Sequence, residues 1–330
     1  TFEDVTARAG LGTAWGNALG VIAADLDGDH WTDLYVANDS TANQMWINGH
    51  DSTFTDQALL GGSALSREGK AQASMGVDAA DFDADGDVDL FMTHLNNETN
   101  TLYLNRGDGL FEDRGLELGL SSPSLPYTAF GTRWFDYDND GWLDLVVIDG
   151  EVKKIWAQDA AGDPLPLKQP GQLFHNLGDG RYEEATAQAG PALTDPVVGR
   201  AAALGDVDDD GDLDLVVTVN NGPVRLLLNQ AAAGNRWLGV ALVDEAGLRV
   251  TREAAVAVDL AGGRSLWRRV QTDGSYLAVH DPRVLFGLGA DPKLEAVRVV
   301  WPDGTTERFA PPPLDAYSTL HRGGGSLVAP

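Results

Sequence analysis

The chain has 330 residues with 50 acidic residues against 23 lysines and arginines, and this net charge of −27 excludes a surface built to bind nucleic acid. It contains no cysteine, which excludes disulfides, cysteine nucleophiles and cysteine-ligated zinc. Its 39 glycines and 15 prolines, with 43% hydrophobic residues, indicate short strands joined by tight turns around a buried core. An all-β fold is therefore predicted.

One ten-residue pattern occurs four times in the first 230 residues. The copies are DLDGDHWTDL from Asp25, DFDADGDVDL from Asp81, DYDNDGWLDL from Asp136 and DVDDDGDLDL from Asp206. A hydrophobic run precedes each copy, a β-rich run follows it, and a third apolar segment ends in asparagine. After three of these asparagines a turn leads into a short amphipathic strand. Each unit is thus predicted to form four short strands.

Such a unit cannot bury both of its faces alone, so the units are expected to pack on one another as blades of a β-propeller. Residues 2–6 have the pattern of a fourth strand, which the last unit lacks. They are therefore predicted to complete the blade formed by residues 200–229 and to close the ring. Residues 150–171 form an insertion in the third unit, and its proline and glycine content predicts a loop.

Residues 235–325 contain no copy of the ten-residue pattern. Runs such as WLGVALV, AAVAVDL and VRVVWPDG predict further strands joined by glycine-rich turns. The chain is thus divided into repeats at 1–230 and a β-rich region at 235–325. This second region is either a separate module or the source of additional blades.

Positions 1, 3, 5 and 9 of every ten-residue copy are aspartate. Alternating carboxylates on a tight loop, together with the carbonyl at position 7, suit the oxygen shell of Ca²⁺ better than the strict octahedron of Mg²⁺. Ordinary aspartate-rich surface turns are the alternative, but four uncompensated clusters would repel strongly. About four Ca²⁺ ions are predicted. The predicted ligands are Asp25, Asp27, Asp29 and Asp33; Asp81, Asp83, Asp85 and Asp89; Asp136, Asp138, Asp140 and Asp144; and Asp206, Asp208, Asp210 and Asp214.

Position 6 of each copy is predicted to have a positive φ. Three copies have glycine there, at Gly86, Gly141 and Gly211, while the first copy has His30. Histidine is tolerated in this conformation, so the first loop is expected to form under some strain.

Ligand contacts are predicted at the end opposite to the acidic loops, because turns of varied length on a rigid scaffold commonly bind partners. The candidates are His94, Asn96, Asn97, Lys153, Lys154, Trp156 and Asn221. Each of them could instead cap the end of a strand. Asp78 and Arg133 occupy matched positions on adjacent innermost strands, where they can form a structural ion pair or contribute to a site.

The acidic loops resemble the FG-GAP or VCBS-type repeats of integrin α-subunit propellers. RSLWRRVQTDGSYLAVHDPRVLFGLG at 264–289 and VRVVWPDGTTERF at 297–309 resemble the ASPIC/UnbV domain. Together the two parts are similar to the cartilage acidic protein family, including its bacterial members. The resemblance implies secretion or surface exposure, calcium and an interaction role. His30 and the presence of only four repeats depart from the family pattern, and the second leaves the number of blades open.

The sequence favours a monomeric, calcium-stabilised β-propeller that binds a protein or carbohydrate ligand. A secreted, periplasmic or cell-surface location is expected, because loops of this kind fill at extracellular calcium levels. The alternative is a propeller enzyme, such as a lyase, cyclase or hydrolase, with an active site at the same end. The sequence contains no nucleophile elbow or phosphate-binding glycine loop, so no catalytic residue is assigned. No apolar run is long enough to insert in a membrane.

Overall fold

A computed structural model describes residues 1–232 and 234–328 of the chain. In these residues 23 strands form six sheets, and the helices are short. The all-β prediction is confirmed. None of the helices in the described ranges is long and apolar enough to cross a membrane.

The repeats form four antiparallel sheets whose strands follow one another in chain order. The first sheet contains β1 (Ala18–Ala24), β2 (Asp33–Asn38), β3 (Gln44–Asn48) and β4 (Phe54–Asp56). The second contains β5 (Val77–Ala80), β6 (Asp89–Met92), β7 (Thr101–Asn105) and β8 (Phe111–Asp113). The third contains β9 (Ala129–Phe135), β10 (Asp144–Asp149), β11 (Gln172–Asn176) and β12 (Tyr182–Glu184). The fourth contains only β13 (Gly199–Gly205), β14 (Asp214–Val219) and β15 (Arg225–Leu227).

Short helices lie in the connections. They are a 3₁₀ turn at Leu11–Thr13, α1 (Ser121–Ser124), α2 (Trp156–Ala160) and α3 (Pro191–Thr194). The insertion at 150–171 therefore contains one helical turn, α2, as well as the predicted loop.

Neighbouring repeat sheets bury their faces against each other. Along β10, Leu145 and Val147 belong to the core shared with the second sheet, whereas Val146 and Ile148 belong to the core shared with the fourth. This alternation is expected because successive side chains of a strand point to opposite faces. The first strands pack in series, β1 on β5, β5 on β9, and β9 on β13.

Residues 236–327, here called the C-terminal module, form two further sheets. The first has the order β19 (Val284–Gly289), β16 (Arg236–Val243), β22 (Tyr317–His321), with β16 and β22 parallel. The second has the order β18 (Ser265–Val270), β17 (Ala254–Leu260), β20 (Leu294–Val300), β21 (Thr306–Phe309), β23 (Ser326–Leu327). Residues such as Val256, Phe286 and Trp301 form a core of the module's own. Its strand order differs from the consecutive order of the repeat sheets.

The predicted closing strand at residues 2–6 does not form. Phe2 is fully exposed, and no fourth strand pairs with β15 in the part of the chain that the structure describes. The residues that follow are fixed to the first sheet, because Ala9 is buried and its carbonyl accepts a hydrogen bond from the Phe54 amide at 2.9 Å. The prediction that residues 2–6 complete the sheet of residues 200–229 is therefore wrong for this structure.

A polar stretch of the C-terminal module, here called the central segment (271–281), lies among the first strands of all four repeat sheets. Its acceptors are Asp273, Ser275 and His280, and each first strand donates at least one backbone amide to them. The bonds run from Ala23 to Asp273 Oδ2 (2.8 Å), from Val77 to the Ser275 carbonyl (3.2 Å), from Thr132 and Ala202 to Ser275 Oγ (3.2 and 3.3 Å), and from Leu204 to His280 Nδ1 (3.1 Å). The repeats and the module are thus joined through buried hydrogen bonds.

The ion pair predicted between the innermost strands is present beside this segment. Arg133 Nη1 lies 2.7 Å from Asp78 Oδ1 and donates to the Asp273 carbonyl at 3.2 Å. Asp78 Oδ2 also accepts the Trp134 amide at 2.8 Å. The predicted contact between the two residues is confirmed, and a contribution of Asp78 and Arg133 to a ligand site remains a prediction.

The His280 contact makes a pH-dependent contribution to stability. Burial, and then the charge of Arg133, lower the pKa of His280 to about 2, against about 6.5 for an unperturbed histidine. Below about pH 6.5 the unfolded chain binds a proton that the folded chain excludes, so this contribution is lost as the pH falls. His280→Asn removes the titrating ring, and its Oδ1 can still accept the Leu204 amide. We therefore expect the free energy of unfolding of the variant to rise relative to that of wild type as the pH falls below about 6.5. The expected rise is up to about 1.4 kcal/mol per pH unit.

Urea unfolding between about pH 7 and pH 5 in EDTA measures this difference. His321→Asn, at an exposed histidine of β22, is the matched control for the loss of an imidazole ring. If the free energies of unfolding of wild type and His280→Asn change in parallel with pH, the pH dependence does not come from His280.

Candidate functional site: the acidic loops and an adjoining cleft

Each ten-residue pattern forms the connection between the first and second strands of its sheet. We call these connections acidic loops 1 (25–33), 2 (81–89), 3 (136–144) and 4 (206–214). In every loop the aspartates at positions 1, 3 and 5 place carboxylate oxygens within 4.8 Å of one another. The four clusters are Asp25, Asp27 and Asp29; Asp81, Asp83 and Asp85; Asp136, Asp138 and Asp140; and Asp206, Asp208 and Asp210.

The backbone of each loop turns at two residues with positive φ. Position 6 has the predicted conformation in all four loops, with φ of 70° at His30, 102° at Gly86, 95° at Gly141 and 91° at Gly211. Position 4 also has a positive φ, which the sequence pattern did not predict; its residues are Gly28, Ala84, Asn139 and Asp209. Loop 1 thus has its glycine at the other left-handed position.

The aspartate at position 9 braces each loop. In loop 2, Asp89 Oδ2 accepts the Phe82 amide at 3.3 Å, and Asp89 Oδ1 accepts the Asn105 amide from the end of β7 at 2.8 Å. The Asn105 side chain in turn donates to the Val88 carbonyl at 3.1 Å. The same paired bonds are formed by Asp33, Asp144 and Asp214. A metal-ligand role for position 9 remains a prediction, and only Asp144 also belongs to a cluster, with Asp138 and His175.

The clustered carboxylates carry uncompensated charge. Burial, followed by the neighbouring charges of Asp83 and Asp85, raises the pKa of Asp81 to about 7. Asp83 Oδ1 is buried and has no hydrogen-bond partner among the described residues. An all-oxygen donor set with an unpartnered carboxylate oxygen fits a hard divalent cation.

Two histidines that the sequence pattern does not mark lie against these loops. His50 Nε2 contacts Asp29 of loop 1, and the His50 ring stacks on Trp31 with centroids 4.6 Å apart. His175 Nδ1 lies 3.0 Å from Asp144 Oδ1, and this hydrogen bond raises the pKa of His175 to about 9. His50 lies in the turn between β3 and β4, and His175 lies in β11, so only the folded sheets bring them close to the acidic loops.

The C-terminal module covers acidic loops 3 and 4. Tyr317 Oη donates to Asp206 Oδ2 at 2.8 Å, and Arg283 Nη1 pairs with Asp209 Oδ1 at 2.8 Å. Arg264 Nη2 donates to the Gly141 carbonyl at 3.2 Å. Polar side chains of the module therefore reach directly into the two loops.

A cleft of about 360 Å³ separates the module from acidic loop 1 and part of loop 2. Its lining includes Trp31, Asp87, Glu253, Trp267 and Arg269. Trp31 is 48% exposed, borders the cleft and stacks on His50. The cleft thus combines aromatic rings with charged groups.

The equivalent tryptophan of acidic loop 3 is covered instead. Trp142 and Trp31 both occupy position 7, but the Arg264 guanidinium lies 3.8 Å from the centroid of the Trp142 ring. Of these two matched aromatic rings, the one in loop 1 is the more exposed, since Trp142 is half-buried.

The residues predicted to contact a ligand at the opposite end are only partly accessible. Asn97, Lys153, Lys154, Trp156 and Asn221 are exposed, and Asn96 is half-buried. His94 is 1% exposed, its Nε2 lies 3.2 Å from Thr101 Oγ1, and burial lowers its pKa to about 3. The expectation that His94 faces a ligand is therefore corrected, because its ring belongs to the interior.

Two family patterns match separate parts of the chain. Residues 25–92 and 81–147 match the FG-GAP-like repeat, and residues 249–327 match the family described as ASPIC and UnbV. The chain is thus similar to FG-GAP-like repeats over residues 25–147 and to the ASPIC and UnbV family over residues 249–327. The resemblance predicted from the sequence is confirmed.

Similar curated proteins support the same relationship. Cartilage acidic protein 1 of Homo sapiens is 29% identical over 231 residues, which covers 66% of this chain and 33% of that protein. Cartilage acidic protein 1 of Mus musculus is 27% identical over 238 residues, with the same two coverages. The chain therefore spans about a third of the length of the curated relatives it matches.

Solved structures give weaker similarities. An Agrocybe aegerita lectin that recognises non-reducing terminal N-acetylglucosamine is 19% identical, with a TM-score of 0.34 over 67% of this chain and 55% of the lectin. A Bacillus licheniformis rhamnogalacturonan lyase is 13% identical, with a TM-score of 0.36 over 95% of this chain and 57% of the lyase. At these TM-scores neither similarity carries an argument about fold or function.

Proposed function

We propose that the chain is a calcium-stabilised, extracellular interaction module of β-propeller type that binds a protein or carbohydrate ligand. The observation that carries the binding role is the exposed Trp31 at the border of the cleft beside acidic loop 1. Exposed aromatic faces next to a few fixed polar groups are typical of binding sites.

The propeller interpretation is supported by the serial packing of the first strands around the central segment. The proposed site lies at the end that bears the acidic loops. The sequence analysis predicted the opposite end. The C-terminal module forms one wall of the cleft, and the position of this module was not predicted from the sequence.

The calcium role is supported by the four carboxylate clusters and by the unpartnered Asp83 oxygen. The aspartates at positions 1, 3 and 5 would hold the ion in each loop, and the ion would neutralise charge that burial makes costly. Loops of this composition in extracellular modules commonly bind Ca²⁺ at ~10⁻⁴–10⁻³ M, which favours a location outside the cytoplasm. The curated relatives, named for cartilage, are consistent with that location.

Calcium titration tests the proposed metal sites. We expect four ions per chain by calorimetry of the chelated protein, and three after Asp81→Asn combined with Asp85→Asn. Each site should stabilise the folded state by roughly 1.4 kcal/mol at tenfold saturation, so the melting temperature should fall clearly in EDTA. A melting temperature that is the same in millimolar Ca²⁺ and in EDTA, with metal removal verified by elemental analysis, would refute the proposal.

Acidic loops 1 and 2 offer a reciprocal test of strain at position 6. His30→Gly relieves a side chain at φ 70°, so the first site should bind Ca²⁺ roughly threefold to tenfold more tightly. Gly86→His places a side chain at φ 102° in open space, so the second site should weaken for conformational reasons alone. Site-resolved titration by NMR distinguishes the two loops. If both variants change their Ca²⁺ affinity in the same direction, backbone strain at position 6 does not determine the affinity.

The binding role is tested with matched tryptophan variants. We expect a ligand found by screening a glycan array and an extracellular protein library in millimolar Ca²⁺ to lose at least tenfold in affinity for Trp31→Ala. Trp142→Ala, at the same position of a covered loop, should retain wild-type affinity. Equal affinity of wild type and Trp31→Ala would exclude the cleft as the binding site.

A further inference from the structure

The C-terminal module supplies arginine side chains to acidic loops 3 and 4. Arg264 donates from Nη2 to the Gly141 carbonyl at 3.2 Å, and its guanidinium lies 3.8 Å from the centroid of the Trp142 ring. Arg283 pairs with Asp209 of loop 4 at 2.8 Å. In loop 3 one arginine thus contacts both the carbonyl of position 6 and the tryptophan of position 7. A planar guanidinium suits this pair of groups, because it donates from its edge and stacks with its face.

Acidic loop 1 has the same tryptophan without an arginine. Trp31 stacks on His50, and Trp142 contacts Gly178, where an added Cβ would lie 2.6 Å from Trp142 Nε1. His50 and Gly178 are equivalent, since each lies two residues after the asparagine that ends the third strand. Trp142 contacts Arg264 in addition, whereas no cation of the described residues lies over the Trp31 ring. The module therefore leaves unfilled in loop 1 the position that an arginine fills in loop 3.

The cleft beside Trp31 has acidic groups that suit a guanidinium. Asp25, Asp87 and Glu253 line it. Asp87 is half-buried, and burial, followed by the charges of neighbouring aspartates, raises its pKa. Glu253 is exposed, and its 3.9 Å pair with Arg252 is weak because both side chains are in solvent. Asp87 is at position 7 of loop 2, so ions held by positions 1, 3 and 5 would leave its charge and that of Glu253 available to a ligand.

The basic groups that line the cleft are bonded within the protein. Arg269 Nη2 donates to the Ala23 carbonyl at 2.6 Å, and Arg269 Nη1 donates to Gln271 Oε1 at 2.6 Å. His30 Nδ1 lies 3.5 Å from Asp25 Oδ2. No lysine belongs to the lining among the residues that the structure describes. The charges left for a ligand are therefore negative.

We propose that the cleft binds an arginine side chain from a short segment of a partner protein. The guanidinium lies on Trp31, as Arg264 lies on Trp142, and Asp87 and Glu253 are its counterions. This inference rests on the proposed binding role of the cleft and specifies its partner. A volume of about 360 Å³ suits a short peptide segment. The net charge of −27 attracts a basic segment before contact.

A peptide panel tests the inference. Short synthetic peptides in which glycine alternates with arginine, lysine, serine or glutamate are titrated by fluorescence anisotropy in millimolar Ca²⁺ at constant ionic strength. We expect the arginine peptide to bind at least tenfold more tightly than the serine and glutamate peptides. It should also bind more tightly than the lysine peptide, because an ammonium group has no planar face to stack. Trp31→Ala should lose at least tenfold in affinity for the arginine peptide.

Two double variants of equal net charge separate a specific site from general attraction to an acidic protein. Asp87→Asn with Glu253→Gln removes the proposed counterions and should weaken the arginine peptide at least tenfold. Asp212→Asn with Glu183→Gln makes the same changes at position 7 of loop 4 and at an exposed residue of β12, and should leave the affinity nearly unchanged. Asp212 Oδ1 accepts a hydrogen bond from Asn139 Nδ2 at 2.9 Å, which an asparagine oxygen can also accept.

Reversal of the cleft charge gives a gain of binding that misfolding cannot produce. Asp87→Lys with Glu253→Lys should bind the glutamate peptide more tightly than wild type does. Equal losses of arginine-peptide affinity in the two charge-matched variants would overturn the inference, and so would an arginine peptide that binds Trp31→Ala as tightly as wild type. A screened ligand that depends on Trp31, combined with no preference for the arginine peptide, would also overturn it while leaving the binding role of the cleft intact.

Discussion

The pair of hydrogen bonds accepted by the aspartate at position 9 is the contact on which each repeat sheet depends. One carboxylate oxygen takes the amide just after the first strand, and the other takes the amide at the end of the third strand, so a single side chain fixes three strands at one end. Charge-assisted bonds of this kind are stronger than neutral ones and offset part of the cost of burying the carboxylate. Burial still raises the pKa of Asp33 to about 7.

The aspartate at position 9 is hydrogen-bonded to backbone amides, whereas the carboxylates at positions 1, 3 and 5 of each loop lie close to one another. The two halves of the molecule meet where this crowding occurs, because Arg264, Arg268 and Arg283 of the C-terminal module face acidic loops 3 and 4. This arrangement is electrostatic complementarity within one chain. Loops 1 and 2 have fewer such partners, so bound cations would matter most there.

The sequence was sufficient for features that arise within ten or twenty residues. Alternating aspartates on a tight turn converge whatever surrounds them, and the strands on either side follow from their period-two patterns. The central segment could not be predicted in this way. Its sequence, QTDGSYLAVHD, reads as a turn between strands, and its hydrogen-bond partners at Ala23, Thr132 and Leu204 lie 76 to 250 residues away. His175 was missed for the same reason, since its contact with Asp144 depends on the register of β10 and β11.

Repetition in the sequence does not make the four loops equivalent in the folded chain. Position 7 is tryptophan in both loop 1 and loop 3, yet Arg264 covers Trp142 while Trp31 borders a cleft. Part of the difference arises from the C-terminal module, whose Arg264 lies on Trp142, whereas a cleft separates the module from loop 1. The repeats give each acidic loop the same pattern of aspartates, and the position of the C-terminal module determines which loop is accessible to a ligand. A search for function in such a chain therefore begins at the boundary between the repeated and the unrepeated parts.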